Sequence, residues 1–320
     1  MIYERIDGLD KPLARVIQGT VMLSCERVEE GFALLDAVFE LGGTTFDTAH
    51  NYGGGDTDRV LGLWMEARGN REQVVVVAKG CHHNADRRRV TPYDLESDLM
   101  DTLARLRSDY VDLYLLHRDD PELPVGPMMD AFARHHAAGR IRAFGGSNWS
   151  PARIRAANEY AAQHGLPPMN ASSPNFSLAV QRHEPWPECL SISGPAGAED
   201  RAWYRGNQMP LLVWSSLAGG FFSGQLRRDN LDSFDDYWFK LSAEVYGSEE
   251  NFRRYDVAAE IAARRGVSVA QVALAYLFGS GLNVFPLVGA RTAQEFADNA
   301  AAAVLNLSAA EMAALERAAG

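Results

Sequence analysis

The run Thr45-Phe46-Asp47-Thr48-Ala49-His50-Asn51-Tyr52-Gly53 brings a carboxylate to the end of a short strand-like segment and a phenol to the turn after it. Asp and Tyr do nothing unusual alone, but a cation from a neighbouring strand would join them into one unit. Residues 74–78 are an apolar, β-branched run of the kind that fills a parallel strand buried on both faces, and Lys79 stands at its carboxyl end. The next such run, residues 111–116, ends in His117. Reducing a carbonyl requires a proton at the developing alkoxide, and a free tyrosine, with a pKa of about 10, holds its proton too tightly to be ideal. Lys79 beside Tyr52 would stabilise the phenolate and lower the phenol's pKa, while Asp47 would keep the lysine charged and oriented. His117 would position the substrate oxygen. The same residue types also fit a buried Asp-Lys pair that merely bridges strands, with Tyr52 as a core phenol.

These residues can meet only if the elements carrying them lie side by side. Residues 4–15 hold the turn chemistry of a hairpin, Asp7-Gly8 and Asp10-Lys11-Pro12, ahead of a first barrel strand at 15–19 that the hairpin would close from below. Val28, Phe32, Leu35 and Phe39 recur at helical spacing, and Gly42-Gly43 stops that helix. Residues 57–68 read as the next helix. Thr91-Pro92 reads as the N-cap and first residue of another, carrying Leu95, Leu99, Leu103 and Leu106. Further strands at 111–117, 141–147, 169–173, 211–215 and 284–289 are separated by helical patterns or by long connections at 177–209 and 218–250. Ser268 with Gln271, and Ser308 with Glu311, signal capping boxes of two late helices. Such alternation implies a parallel sheet, open or closed into a barrel of about eight strands. No Gly-x-Gly-x-x-Gly follows the first strand, and polar residues end nearly every strand instead of gathering at one switch point. The expected fold is therefore α/β: a (β/α)8 TIM barrel with an N-terminal β-hairpin and long loops after strands 6 and 7, as one domain over residues 1–320.

Several landmarks recur in a fixed order. The Asp-Thr-Ala-x-x-Tyr-Gly motif comes first, then Lys79 closing the third barrel strand and His117 the fourth, then Phe144-Gly145-Gly146-Ser147-Asn148 at the fifth and Trp214-Ser215 at the seventh. Over most of its length the chain resembles the aldo-keto reductase superfamily. The resemblance implies reversible reduction of an aldehyde or ketone with a nicotinamide cofactor, and it gives Asp47, Tyr52, Lys79 and His117 the roles above. It also implies that Ser147 and Asn148 hydrogen-bond the nicotinamide carboxamide, that Trp214 stacks on the nicotinamide ring, and that Ser215 and Leu217 bind the cofactor. Where many members have Gln at the end of the sixth strand, this chain reads Ala171-Ser172-Ser173, so Ser173 stands in for a longer amide. The adenosine end of the cofactor is expected along Gly289, Arg291, Glu295, Asp298 and Asn299, with helix N-terminal amides for phosphate and Arg291 for a 2′-phosphate. Glu295 replaces a frequent Gln and Gln225 a frequent cation, and both changes weaken anion binding. NADP is the cofactor expected, modestly preferred over NAD. The alternative from another functional class is a cofactor-sensing regulatory barrel in which catalysis is incidental.

The 320 residues are 47% hydrophobic and 23% charged, which suits a large globular domain. A net charge of -11 gives no electrostatic support to nucleic-acid or anionic-membrane binding. Cys25, Cys81 and Cys189 have no paired spacing, and no apolar run approaches a membrane span or signal peptide, so a reducing cytoplasm is expected. The expected partner is a small carbonyl compound; oligomeric state is left open. His82-His83 with Asp86, and His117 with Asp119-Asp120, look rich in metal ligands, yet a metal would leave Lys79 and Tyr52 without a role, and none is expected. His135-His136, in a helical pattern, read as surface. Trp186, Trp203, Tyr204, Phe221, Phe222, Tyr237, Trp238, Phe239 and Tyr246 crowd the two long connections. Trp238, together with His50 and Trp149 beside the catalytic strands, is expected to line an aromatic pocket for a bulky carbonyl compound or a sugar ring.

Overall fold

In the computed structural model, which describes residues 1–318, the strands β1 (Tyr3–Glu4) and β2 (Leu13–Ala14) form the antiparallel N-terminal hairpin. The barrel strands follow as β3 (Ile17–Gly19), β4 (Thr45–Asp47), β5 (Val75–Gly80), β6 (Val111–Leu116), β7 (Ile141–Ser147), β8 (Ala171–Ser173), β9 (Leu211–Val213) and β10 (Val284–Val288). They close in the order β10-β3-β4-β5-β6-β7-β8-β9, a (β/α)8 TIM barrel. The helices are α1 (Val28–Glu40), α2 (Asp56–Arg68), α3 (Pro92–Leu106), α4 (Gly126–Ala137), α5 (Pro151–His164), α6 (Ala198–Asn207), α7 (Tyr237–Tyr246), α8 (Glu249–Arg265), α9 (Val269–Phe278), α10 (Ala293–Ala301) and α11 (Ala309–Arg317). Every residue of β5 and of β6 is buried, as a strand covered on both faces requires. Among the described residues no helix is long and apolar enough to cross a membrane.

Local chemistry sets several boundaries. The Thr91 hydroxyl accepts from the Asp94 amide and Pro92 opens α3, whose Leu95, Leu99, Leu103 and Leu106 all turn inward. Ser268 with Gln271 opens α9 and Ser308 with Glu311 opens α11, each as a reciprocal capping box. At the end of β5, a Cβ on Gly80 would lie 2.1 Å from the Tyr114 hydroxyl, so only glycine lets β6 come this close.

The chain divides into two compact units, Met1–Ser173 with Gly289–Phe296, and Pro174–Val288 with Ala297–Gly320. Within the first, the hairpin covers the amino ends of the strands: the Ala14 amide donates to Thr45 Oγ1 at 2.9 Å, and Gly8 lies against Ala143 and Asn170. Within the second, Phe221, Phe222, Val245, Tyr246, Phe252 and Ile261 belong to one apolar core. Both long connections carry helices, α6 in the first and α7 in the second. His135, expected at the surface, is buried at 2% exposure. Met128, Ala131, Phe132 and His135 recur on one face of α4, so the histidine follows its apolar neighbours inward, where Arg140 meets its Nδ1 at 3.3 Å.

Candidate active site

Asp47 closes β4, and the chain after it continues the ladder with β5: the Thr48 amide donates to Val77 O and the His50 amide to Lys79 O, each at 2.8 Å. These bonds and one from the Tyr52 amide to Ala49 O at 3.0 Å fix the turn that presents the phenol. Lys79 Nζ donates to Asp47 Oδ1 at 2.6 Å, to Thr48 O at 3.0 Å and to the Tyr52 hydroxyl at 3.4 Å. His117 follows β6, anchored through its amide to Gly80 O at 2.8 Å. Its ring stands 5.7 Å from that of Tyr52, edge to face at 77°. All four side chains expected to act together lie in the first unit and are brought together.

Burial pushes the Tyr52 phenol above its ordinary value, while Lys79 pulls it down. The lysine acts in the expected direction, but its closest contact is with Asp47, and burial outweighs it. Burial opposes the Lys79 charge, yet Asp47 and Tyr52 more than restore it and hold the ammonium above its usual range. Burial likewise raises the Asp47 carboxyl against the pull of Lys79. Burial, joined by the positive charge of Lys79, holds His117 well below the usual imidazole range. The site therefore combines a protonated phenol, a cation behind it and a neutral imidazole, a set suited to placing a proton on an oxygen that gains negative charge.

Residues that the motifs did not single out hold this arrangement. Asp58 of α2, fully buried, accepts from Thr48 Oγ1 at 2.6 Å and from Thr102 Oγ1 at 3.3 Å. It fixes the residue whose carbonyl receives Lys79. In the sequence it reads only as a usual acidic first-turn residue. Asp98 of α3 accepts from the Cys81 amide at 2.8 Å and from Arg89 Nη2 at 2.6 Å, holding the turn after β5.

The residues expected to hold the cofactor divide between the two units. In the first, Ser147 Oγ donates to Ser173 O at 2.9 Å, and Asn148 Nδ2 donates to His117 O at 3.1 Å and to Ser147 Oγ at 3.2 Å. Ser173 Oγ is buried without a hydrogen-bond partner, as a group waiting for an amide would be, so the chemistry fits a nicotinamide carboxamide. After Gly289, Glu295 Oε2 accepts from the Arg291 amide at 2.7 Å, and the Glu295 amide donates to Thr292 Oγ1 at 3.1 Å. A carboxylate thus already faces the amides at the start of α10. In the second unit Trp214 follows β9 with its Nε1 buried and unpartnered, Ser215 takes a left-handed φ of 48°, and Leu217 borders the apolar core. Asp298 and Asn299 lie on α10, Asn299 buried.

The residues expected to line a substrate pocket fare differently. Trp238 is 39% exposed, and Trp186 stands 6.2 Å from both Trp238 and Trp214, all within the second unit. His50 directs Nε2 to Asp101 at 3.2 Å and Nδ1 toward Asp98 at 3.6 Å. Trp149 is fully buried, its Nε1 donating to Arg118 O at 3.1 Å, and its ring packs against Gly146 of β7. Of the ligand-rich stretches, Asp119 is held by Arg153 at 2.9 Å and Asp120 by Arg88 at 3.0 Å.

The (β/α)8 barrel gathers Asp47, Lys79, Tyr52 and His117 at and just beyond the carboxyl ends of β4, β5 and β6, where barrels of this kind place their chemistry. Residues 15–319 match the Aldo/keto reductase family, and the chain belongs to it. Norsolorinic acid reductase stcV of Emericella nidulans is 28% identical over 293 residues, which span 88% of this chain and 69% of that protein. The NADP(+) aldo-keto reductase yakc of Schizosaccharomyces pombe is 26% identical over 288 residues, 88% of this chain and 79% of that one. The aldo-keto reductase of Klebsiella pneumoniae, solved in complex with NADPH, shares the fold with a TM-score of 0.71 at 23% identity, covering 100% of this chain and 96% of that one.

Proposed function

We propose that this protein reversibly reduces an aldehyde or ketone to an alcohol with a nicotinamide cofactor, NADPH modestly preferred, and that Tyr52 is the proton donor. The observation that carries this reading is the position of Lys79 Nζ, between Asp47 Oδ1 at 2.6 Å and the Tyr52 hydroxyl at 3.4 Å. When bound, the nicotinamide supplies the hydride to the carbonyl carbon. Tyr52 O–H donates to the carbonyl oxygen and yields its proton as negative charge builds there. Lys79, kept cationic by Asp47, then faces the phenolate and lowers the cost of forming it. Neutral His117 orients the same oxygen without adding a charge. Ser147, Asn148 and Ser173 are assigned to the carboxamide, Trp214 to the ring face, Ser215 and Leu217 to cofactor binding as well, and Gly289, Arg291, Glu295, Asp298 and Asn299 to the adenosine end. The reading carries with it one domain over residues 1–320, acting in the cytoplasm on a small carbonyl compound without metal, nucleic acid or membrane. Trp238, together with His50 and Trp149, is proposed to favour bulky carbonyls.

Purified protein mixed with NADPH and a panel of activated aldehydes should show loss of NADPH absorbance that depends on the aldehyde. Tight NADPH binding with no turnover of any carbonyl would reject the reading. Because His117 is held well below its usual range, it stays neutral as pH falls through about 6.5, the ordinary imidazole value. The kcat/KM for reduction is therefore expected to be level from pH 8 down to about pH 6, and a loss centred near 6.5 would show a titrating His117.

Cofactor choice turns on Glu295. Removing its charge by Glu295→Gln takes a repulsive carboxylate away from the amides that would receive a 2′-phosphate. An exposed charge interaction of about 0.2–1 kcal/mol predicts a roughly 1.5- to 5-fold shift of the Kd ratio toward NADP over NAD. If the two dissociation constants move together, Glu295 is not near that phosphate.

A further inference from the structure

One charged side chain beside the catalytic residues has no counterpart in the arrangement above. Arg118 follows His117 and is 4% exposed. Its Nη1 donates to a backbone carbonyl, His117 O, at 3.0 Å, and among the described residues no carboxylate forms an ion pair with it. The two acids next in the chain are already taken, Asp119 by Arg153 at 2.9 Å and Asp120 by Arg88 at 3.0 Å. Asp47, in turn, is matched to Lys79. The backbone of Arg118 is pinned as well, since its carbonyl receives Trp149 Nε1 at 3.1 Å. The charge of Arg118 bears on Tyr52, where it favours the phenolate, and on His117 and His82, where it disfavours the imidazolium. The His82 ring stands 4.8 Å from that of His117, so the guanidinium acts on a compact group of three rings.

Keeping a guanidinium out of water with only a neutral carbonyl as partner costs free energy, and such costs persist where a ligand compensates them. A planar fork of N–H donors matches a carboxylate, which it can hold through two parallel hydrogen bonds. We propose that Arg118 anchors a carboxylate on the substrate, and that the preferred substrates are oxo acids whose carbonyl is reduced at Tyr52. This rests on the reductase reading above and narrows it to one substrate class. Arg118 is in this account a specificity-determining residue: it holds the far end of the molecule while Tyr52 and His117 act on the carbonyl oxygen.

The test compares each aldehyde acid with its own methyl ester, which keeps the chain and removes the charge. Suitable pairs are glyoxylate, succinic semialdehyde, and 2- and 4-carboxybenzaldehyde, each against its ester, with NADPH and the full chain. A charge-assisted hydrogen bond worth about 1.5–3 kcal/mol predicts that for the best-fitting pair the acid exceeds the ester by roughly 10- to 100-fold in kcat/KM. Arg118→Met should bring that ratio to about 1, and Arg118→Lys, which keeps the charge but loses the fork, should leave an intermediate ratio. Should Arg118→Met not fold, the ratios of the wild type and of Arg118→Lys decide the matter by themselves. Esters turned over as well as acids in every pair would overturn the inference while leaving the reductase reading intact. A full acid preference surviving in Arg118→Met would overturn it too. So would an equal loss of NADPH affinity in that variant, which would assign the guanidinium to the cofactor. Absence of turnover with acids and esters alike would sink the reductase reading itself.

Discussion

Tyr52→Phe is expected to lower the rate of carbonyl reduction by about 10²- to 10⁴-fold, the usual contribution of a positioned general acid, while NADPH affinity changes by less than about twofold. Phenylalanine preserves the ring that meets His117 edge to face at 5.7 Å and that lies 5.0 Å from Lys79 Nζ, so the variant removes a proton and little else. Steady-state kinetics with a fluorescence titration of NADPH separate the two effects. Loss of both activity and affinity would show that the hydroxyl holds the site together and does not serve as the acid. Because burial raises the phenol, the wild type should keep its reductive activity to alkaline pH, with the limb assigned to Tyr52 lying above about 10.

Lys79→Met should be damaging in two separable ways. The lysine and Asp47 are both 2% exposed, and removing the cation leaves a buried carboxylate whose second oxygen, Oδ2, already lacks a partner. Breaking a buried ion pair from one side costs about 3–5 kcal/mol, which urea unfolding would register as a lower midpoint. Activity should fall with it, and the double variant Lys79→Met/Tyr52→Phe should be hardly worse than the more impaired single one, because donor and cation act as one unit. Adding Asp47→Asn to Lys79→Met should recover much of the stability and none of the activity. A Lys79→Met protein as stable as the wild type would mean that the pair is weaker than its 2.6 Å separation implies. Losses that simply add would mean that Lys79 and Tyr52 work independently.

Much of this architecture is legible in the sequence. The β-branched run ending at Lys79 and the apolar run ending at His117 read as buried parallel strands, because strands covered on both faces are continuous apolar runs in the sequence. Thr91-Pro92, Ser268 with Gln271 and Ser308 with Glu311 announced helix starts because capping is decided within four residues. What local sequence does not show depends on contacts between distant segments. His135 reads as surface in its own helix but packs inward. Trp149 and His50, adjacent in sequence to the motif residues, are held by Arg118 O and by Asp98 and Asp101, respectively.

The sequence by itself determined the order of elements, the closed barrel and the identity of Asp47, Tyr52, Lys79 and His117 as one set, since strand ends of a parallel barrel all open on the same side. Only the tertiary structure decided how their charges stand. A lysine beside a tyrosine lowers its pKa, but burial acts on both, and its size depends on everything packed around them; here it leaves the Tyr52 phenol raised. The same holds for Asp58, indistinguishable in the sequence from a solvated first-turn residue until Thr48 and Thr102 are seen to close over it. It holds for Arg118, whose missing counter-ion is a property of its surroundings: one arginine among many in the chain, it becomes chemically distinct because Asp119 and Asp120 turn to Arg153 and Arg88 and leave it with a backbone carbonyl.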